Sequence, residues 1–253
     1  DVYKRQRGLG DVYKRQLIVE QIVEAGSFSS HDRVIEIGPG YGALTCELLK
    51  KVSALTAIEV DRDAVHYLRS YFAAERLRVI EADCLDVNFS HFGVSLRLLG
   101  NLPYHISTPI LFHVDSKIEH IRDAIFMLQR EVVDRIVAAP GSAEYGKLSI
   151  TLQLGWELEK LFDVPPEAFQ PVPKVWSSIL HLRPRAKPYN VNRATFQRIV
   201  FGAFSKRRKT LRNALKGIVS SEQFILADID PARRPETLSV DDYVRLSNVV
   251  FKD

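Results

Sequence analysis

Arg33-Val34-Ile35-Glu36-Ile37-Gly38-Pro39-Gly40-Tyr41-Gly42 runs from an apolar stretch straight into a turn with glycine at every second position. A short apolar run stopped by glycine reads as a buried strand. The glycines permit a tight turn and close backbone approach to a ligand, beside the N-terminus of a helix expected over 42–51. Strand and helix then keep alternating. Further strands are expected over 54–60, 77–81, 94–99 and 123–128, with helices over 64–73, 108–115 and 130–138, and one more helix over 17–25 ahead of the first strand. Such alternation predicts an α/β fold with a parallel, doubly wound sheet. Two more strand candidates follow, 148–154 and 174–182, flanking a loop that holds Pro165, Pro166, Pro171 and Pro173. Beyond the linker signals Pro184, Pro188 and Asn190, the character turns helical, over 193–203, 209–219, 221–227 and 240–250. The expected organisation is therefore a sheet domain over 17–187 and a small all-α domain over 188–253.

The first sixteen residues stand apart. Asp1–Gln6 and Asp11–Gln16 are the same hexapeptide, DVYKRQ, joined by Arg7-Gly8-Leu9-Gly10. The repeat lacks apolar periodicity and does not recur, so it is read as foreign to the fold, translated adapter sequence or a product of sequence assembly.

Composition narrows the class. With 46% apolar and 26% charged residues, the chain has no apolar run long enough to span a bilayer. Two cysteines, Cys46 and Cys84, make neither a disulfide framework nor a metal site, which favours a reducing, cytoplasmic setting without a metal. The net charge of +4 conceals segregation: residues 168–221 hold twelve Lys or Arg and no Asp or Glu, while the other 199 residues sum to −8. Charge separated in this way is the footprint of a polyanion-binding surface.

Four strand ends carry candidate chemistry. Glu36 and the Gly38–Gly40 turn follow the first strand, and Glu59 ends the second, where a carboxylate suits a bidentate grip on two ribose hydroxyls. Asp83 follows the third. It can accept from an adenine amino group while the backbone N–H of Cys84 bonds a ring nitrogen. A glycine turn alone also fits dinucleotide binding, so an NAD-dependent dehydrogenase stays open at this point. Gly100-Asn101-Leu102-Pro103-Tyr104 follows the fourth strand and suits methylation of an exocyclic base amine. Such an amine is a poor nucleophile because its lone pair is delocalised into the ring. The Asn101 side-chain oxygen and the Leu102 carbonyl, both accepting from its N–H groups, would favour tetrahedral geometry. Pro103 biases Leu102 toward an extended backbone, and Tyr104 offers a flat face for the base.

Taken in order, VIEIGPGYGALT, AIEVD, EADCLD, GNLPYHISTPILF, FMLQREVVDRI, YGKLSI, FQPVPKVWSSIL, FSKRRKTLRNAL and RPETLSVDDY resemble the KsgA-type ribosomal RNA adenine dimethyltransferases. The resemblance runs from about Leu17 to Asp253. It implies a Rossmann-like class I methyltransferase sheet with a C-terminal helical domain, S-adenosyl-L-methionine as cofactor, and N6-dimethylation of two adjacent adenosines in a hairpin near the 3′ end of small-subunit rRNA. It also implies a monomer acting on the assembling 30S subunit, away from membranes. The Gly38 loop would then hold the methionine end of the cofactor, Glu59 the ribose and Asp83 the adenine. Asn101 would lie between cofactor and target base, with Tyr104 and Phe169 as opposed stacking faces. Lys206, Arg207, Arg208, Lys209 and Arg212 would grip phosphates, with Lys174 nearer the reacting base.

One departure is visible. The family carries, just before its first helix, a segment whose Gln and Asn close over the cofactor, and here the DVYKRQ repeat stands in that place. The sheet is expected to survive this, and cofactor affinity and turnover are expected to suffer. A related methyltransferase of large-subunit rRNA and a non-catalytic rRNA-binding assembly factor are the alternatives.

Overall fold

In the computed structural model, residues 16–169, 172–206 and 208–252 are described. Seven strands form one sheet: β1 (Arg33–Ile37), β2 (Leu55–Glu59), β3 (Leu77–Glu81), β4 (Leu96–Asn101), β5 (Ile121–Gln129), β6 (Trp156–Val164) and β7 (Ser177–Pro184), in the order β3-β2-β1-β4-β5-β7-β6. The first five are parallel, and β7 returns antiparallel to β5. The sheet is therefore mixed. The central strands β1, β4 and β5 are buried almost throughout, as expected where helices cover both faces.

The helices are α1 (16–26), α2 (Ala43–Leu48), α3 (Arg62–Tyr71), α4 (Ser107–Asp115), α5 (Arg130–Val137), α6 (Lys147–Gly155), α7 (Arg193–Ser205), α8 (Leu211–Ala214), α9 (Ser221–Leu226) and α10 (Val240–Lys252). Of the DVYKRQ repeat, residues 1–15 lie outside the described residues. Its last residue, Gln16, lies in α1 and donates to Glu47 at 2.6 Å.

The strand expected over 148–154 is instead helix α6. Leu148, Ile150, Leu152 and Leu154 alternate with polar residues and so mimic a strand, but Ser149 and Thr151 are buried too. Ser149 Oγ donates to the Arg135 carbonyl, and Gln153 Nε2 donates to those of Ile136 and Ala138, so the polar positions cap the end of α5 rather than face water. The strand lies just beyond, in β6. Its alternating charges sit at the sheet's edge, where charge blunts unwanted pairing. The helix expected over 209–219 shortens to the four residues of α8, with Gly217 at φ +82° behind it.

The chain divides into two compact units, residues 1–133 with 159–184, and residues 134–158 with 185–253. The break thus falls inside α5 and β6, and 134–158 groups with the C-terminal helices rather than with the sheet. The core of the first unit joins Val34, Leu55, Leu99, Ile125 and Ile179 of the sheet to Ile22 and Val23 of α1 and Leu68 of α3. That of the second packs Ile150, Phe196, Val200, Leu211, Phe224 and Tyr243.

A buried ion cluster crosses the N-terminal ends of the parallel strands. Arg97 on β4 donates from Nε and Nη2 to the two Asp123 oxygens, both at 2.7 Å, and from Nη1 to Asp32 at 2.8 Å. Its Nη2 also reaches the Gly26 carbonyl, and the guanidinium lies 4.3 Å from the Phe28 ring centroid. His181 on β7 contacts the same Asp123 oxygen at 3.1 Å. Burial pushes the Asp123 carboxyl up, but the Arg97 and His181 hydrogen bonds and charges outweigh it and hold it at about 2. Its folded value lies below the ordinary 3.8, so this stabilisation is present above that value and is lost as pH falls toward 2. Arg97→Ala strands two buried carboxylates. We expect a loss of about 3–5 kcal/mol in urea unfolding at pH 7.

Candidate active site

The carboxyl ends of β1, β2, β3 and β4 meet around the point where the strand order reverses, which is where open α/β sheets bind ligands. There the backbones of β1 and β4 come close: a Cβ added at Gly100 would lie 2.4 Å from the Ile37 carbonyl oxygen. The Gly38 N–H is held by the Ile58 carbonyl at 2.9 Å, and a Cβ at Gly38 would lie 3.9 Å from the Asn101 carbonyl oxygen. The glycine turn and the Asn101 stretch are thus neighbours. Gly40, at φ +53°, faces open space, with no atom within 4 Å of where a Cβ would stand. That is the geometry of a cradle.

Three carboxylates border this crevice in three different environments. Glu36 is wholly buried and accepts from Thr45 Oγ1 at 2.7 Å. Burial pushes its carboxyl up to about 7; the Thr45 hydroxyl offsets part of the rise, and the Glu59 charge adds to it. Glu59, also buried, accepts three backbone N–H groups: Val60 and Asp61 on Oε1 at 2.8 and 2.9 Å, and Gly40 on Oε2 at 3.0 Å. A carboxylate has about four acceptor positions, so Glu59 keeps one open, on Oε2. A grip on two hydroxyls would require the Gly40 bond to yield. Asp83 is exposed. Its Oδ1 caps the turn at Leu85 N–H, and its Oδ2 has no donor among the described residues. Cys84 beside it is buried, its thiol pushed up to about 12 by burial and then by the Asp83 charge, so it is present as an inert thiol.

Asn101 closes β4, exposed and paired in register with Met127 of β5. Leu102 is its anchor: the side chain is buried and the N–H donates to the Met127 carbonyl at 3.1 Å. Pro103 is exposed, and its carbonyl takes the Ile106 N–H at the entry to α4. Tyr104 is half-buried, its carbonyl accepting from Ser107 Oγ at 3.1 Å and its hydroxyl 2.7 Å from Ser177 Oγ at the start of β7. His105 is exposed. Phe169 is half-buried and packs against the core of the first unit, its N–H donating to the Pro166 carbonyl.

The basic residues divide between the units. Lys174 is exposed on the first. Lys206, Arg208, Lys209 and Arg212 are exposed on the second, none in an ion pair among the described residues, whereas Arg207 lies outside those residues. No group of three or more His, Cys, Asp or Glu able to hold a metal occurs among the described residues, and no helix there is long and apolar enough to cross a membrane. Thr45, inside α2, and Ser177, the first of two serines that open β7, fix Glu36 and Tyr104, and neither residue type marks such a role in the sequence.

The sheet order, the glycine turn and the strand-end acids define a Rossmann-like class I methyltransferase fold. The family model described as ribosomal RNA adenine dimethylase matches residues 10–252, and the chain belongs to that family. Among curated relatives, ribosomal RNA small subunit methyltransferase A of Bordetella petrii is 47% identical over 239 residues, covering 93% of this chain and 90% of that protein. The protein of the same name from Legionella pneumophila is 50% identical, covering 92% of each. Among solved structures, a dimethyladenosine transferase from Plasmodium falciparum superposes with a TM-score of 0.78 at 26% identity, covering 90% of this chain and 93% of that one. The 23S rRNA methyltransferase ErmE shares the fold, with a TM-score of 0.70 at 24% identity over 92% of this chain and 97% of its own. Family membership removes the dehydrogenase alternative.

Glu36 gives this site a pH signature. Between its ordinary value of 4.5 and about 7, the folded chain keeps a proton that the unfolded chain releases. Stability from this group is therefore full below 4.5 and falls as pH rises through 7, by on the order of 3 kcal/mol in all. In Glu36→Gln, unfolding free energies measured between pH 5 and 8 are expected to lose that slope.

Proposed function

We propose that this chain transfers methyl groups from S-adenosyl-L-methionine to N6 of two adjacent adenosines of small-subunit rRNA. The observation that carries the reading is the Asn101–Tyr104 stretch, placed at the strand-order switch directly against the glycine turn, in a chain of the adenine dimethylase family. The 47–50% identity to proteins named for the small subunit supports that substrate over the large one. With it go a cytoplasmic, monomeric enzyme and an RNA presented within the assembling 30S subunit.

The residues present fit the cofactor. Gly40 leaves a cradle open, Glu59 keeps an acceptor position for a ribose hydroxyl, and Asp83 Oδ2 is free to accept from an adenine amino group. Glu59 places a carboxylate beside the glycine turn, suited to a cationic ligand. When bound, the cofactor supplies a methyl group on an electrophilic sulfonium.

What the chain adds is position. The Asn101 side-chain oxygen and the Leu102 carbonyl accept from the N6 hydrogens and turn the nitrogen lone pair out of conjugation. Buried Leu102 holds both acceptors on the end of β4. Tyr104, pinned through Ser177, supplies one stacking face, and the exposed part of Phe169 the other. A near-attack geometry of this kind lowers a barrier heavily without an acid or base. The proton shed by the methylated amine passes to water, and His105 has no assigned part. The target adenosine must leave its stack to enter, at a cost of a few kcal/mol or less in a hairpin loop.

The test is transfer of labelled methyl from S-adenosyl-L-methionine to unmethylated small ribosomal subunits, with N6-dimethyladenosine identified at two adjacent positions. Absence of transfer, both from this chain and from one carrying the family's N-terminal segment, would return the assembly-factor reading. Asn101→Ala is expected to lower transfer at least about 100-fold while RNA affinity stays within about twofold, since it removes an acceptor used in the reaction. Replacing Lys206, Arg208 and Lys209 by Gln is expected to weaken RNA binding for all sequences and to flatten the log–log salt slope by about one for each phosphate no longer neutralised. Filter binding between 50 and 200 mM salt, a range over which about 6–10 neutralised phosphates would change affinity by ~10³-fold or more, measures it.

A further inference from the structure

We propose that Trp176 is the stacking platform for the nucleobase next to the target adenosine, so that one adenosine of the pair rests on Trp176 while its neighbour occupies the pocket. The inference rests on the adenine dimethyltransferase reading and concerns how the strand is held beside the reacting base.

The strand registers put Trp176 on the rim of the site. Asn101 stands opposite Met127, Met127 opposite Ile179, and Gln129 opposite Ser177, so the chain just before Ser177 lies beyond the carboxyl end of β5, at the same edge as Asn101. The link to the pocket is direct: Ser177 bonds the Tyr104 hydroxyl, and Trp176 is the preceding residue. Its backbone is fixed, because the Trp176 carbonyl accepts the Arg130 N–H at 2.9 Å. Its side chain is not sheltered. Trp176 is 43% exposed, and Val172 and Val175 beside it are exposed as well.

Charge on this rim selects the occupant. The Arg130 guanidinium lies 5.4 Å from the Trp176 ring centroid, covering one face of the indole. Lys174, two residues away in the chain, is exposed and adds a second positive charge to the same segment. The nearby acid, Asp163, is already held by Lys160 at 2.8 Å and by Ser178. An aromatic face with Arg130 against it and exposed Lys174 two residues along, carried by the acid-free stretch 168–221, has the composition of a site for single-stranded nucleic acid, in which a base stacks and the neighbouring phosphates meet Lys or Arg. An apolar protein partner would meet these charges at a desolvation cost.

The chain carries its own probe. It has two tryptophans, and the other, Trp156, is only 1% exposed. An RNA hairpin whose loop carries two adjacent adenosines is expected to quench the Trp176 emission saturably and to shield it from iodide. Trp176→Phe should lose that signal and keep RNA affinity within a few fold. Trp176→Ala should raise the KM for RNA roughly 5- to 100-fold, with cofactor affinity unchanged and the salt slope unaltered, because stacking on the indole involves no charge. Far-ultraviolet circular dichroism and melting of the variants confirm that they fold. An unchanged KM in Trp176→Ala, unquenched emission, or quenching by intact subunits but not by the hairpin would overturn the platform; the last would assign the surface to a ribosomal protein. Each of these leaves the methyltransferase reading standing if the unaltered chain still transfers methyl groups. Saturable quenching without any transfer would instead sink that reading and leave the stacking site.

Discussion

Arg97 is the constraint on which the sheet rests. It is a cation taken out of water, so it demands carboxylates, and the two it finds come from different elements: Asp32 from the chain entering β1 and Asp123 from β5. The Gly26 carbonyl adds the end of α1, and His181 adds β7 through Asp123. One side chain thereby fixes the relative height of four strands, its own included, and a helix at the end of the sheet away from the crevice. Replacing such a cluster with apolar residues can be neutral, but removing one member is costly. Its value here is register. A slip of β4 by one residue would turn Arg97 to the opposite face, separating the ions and carrying Asn101 out of place.

At the other end, the sheet does its work through solvation. Glu36, Glu59 and Asp83 are the same functional group, yet one is driven toward neutrality, one is held by three backbone N–H groups, and one stands in water with a free oxygen. The chemistry each can offer follows from burial and main-chain geometry rather than from residue type. Tyr104 makes the same point for an aromatic ring. Its plane depends on a serine 73 residues away.

The strands 33–37 and 77–81 were legible to the residue, because hydrophobic runs stopped by glycine or polar residues mark buried strands whatever surrounds them. The glycine turn, the strand-end acids and the Asn101 stretch could be read for the same reason, being local patterns with local causes. What could not be read depends on contacts between distant segments. Period-two apolar residues made α6 resemble a strand because its serine and glutamine are satisfied within the fold and not by water. The alternating charges of β6 disguised an edge strand, whose position is a property of the whole sheet. Nothing in the residue types around Glu59 announced that three of its acceptor positions would be taken by the turn itself. Trp176 carries no signal as one letter near the start of an expected strand; that strand begins at Ser177 instead, and its register gives the residue before it a place.

The close approach at Gly100 has a consequence for how this chain can change. Every codon substitution there adds a carbon where the Ile37 carbonyl oxygen already stands, so no small step leads away from glycine without parting β1 from β4. Mutation is therefore shut out of this point of the crevice by packing, whereas at exposed Asn101 beyond it only the chemistry asked of the side chain sets the limit. The close main-chain approach thus holds the floor of the site in place, and any change in what the site accepts has to be made with side chains around it.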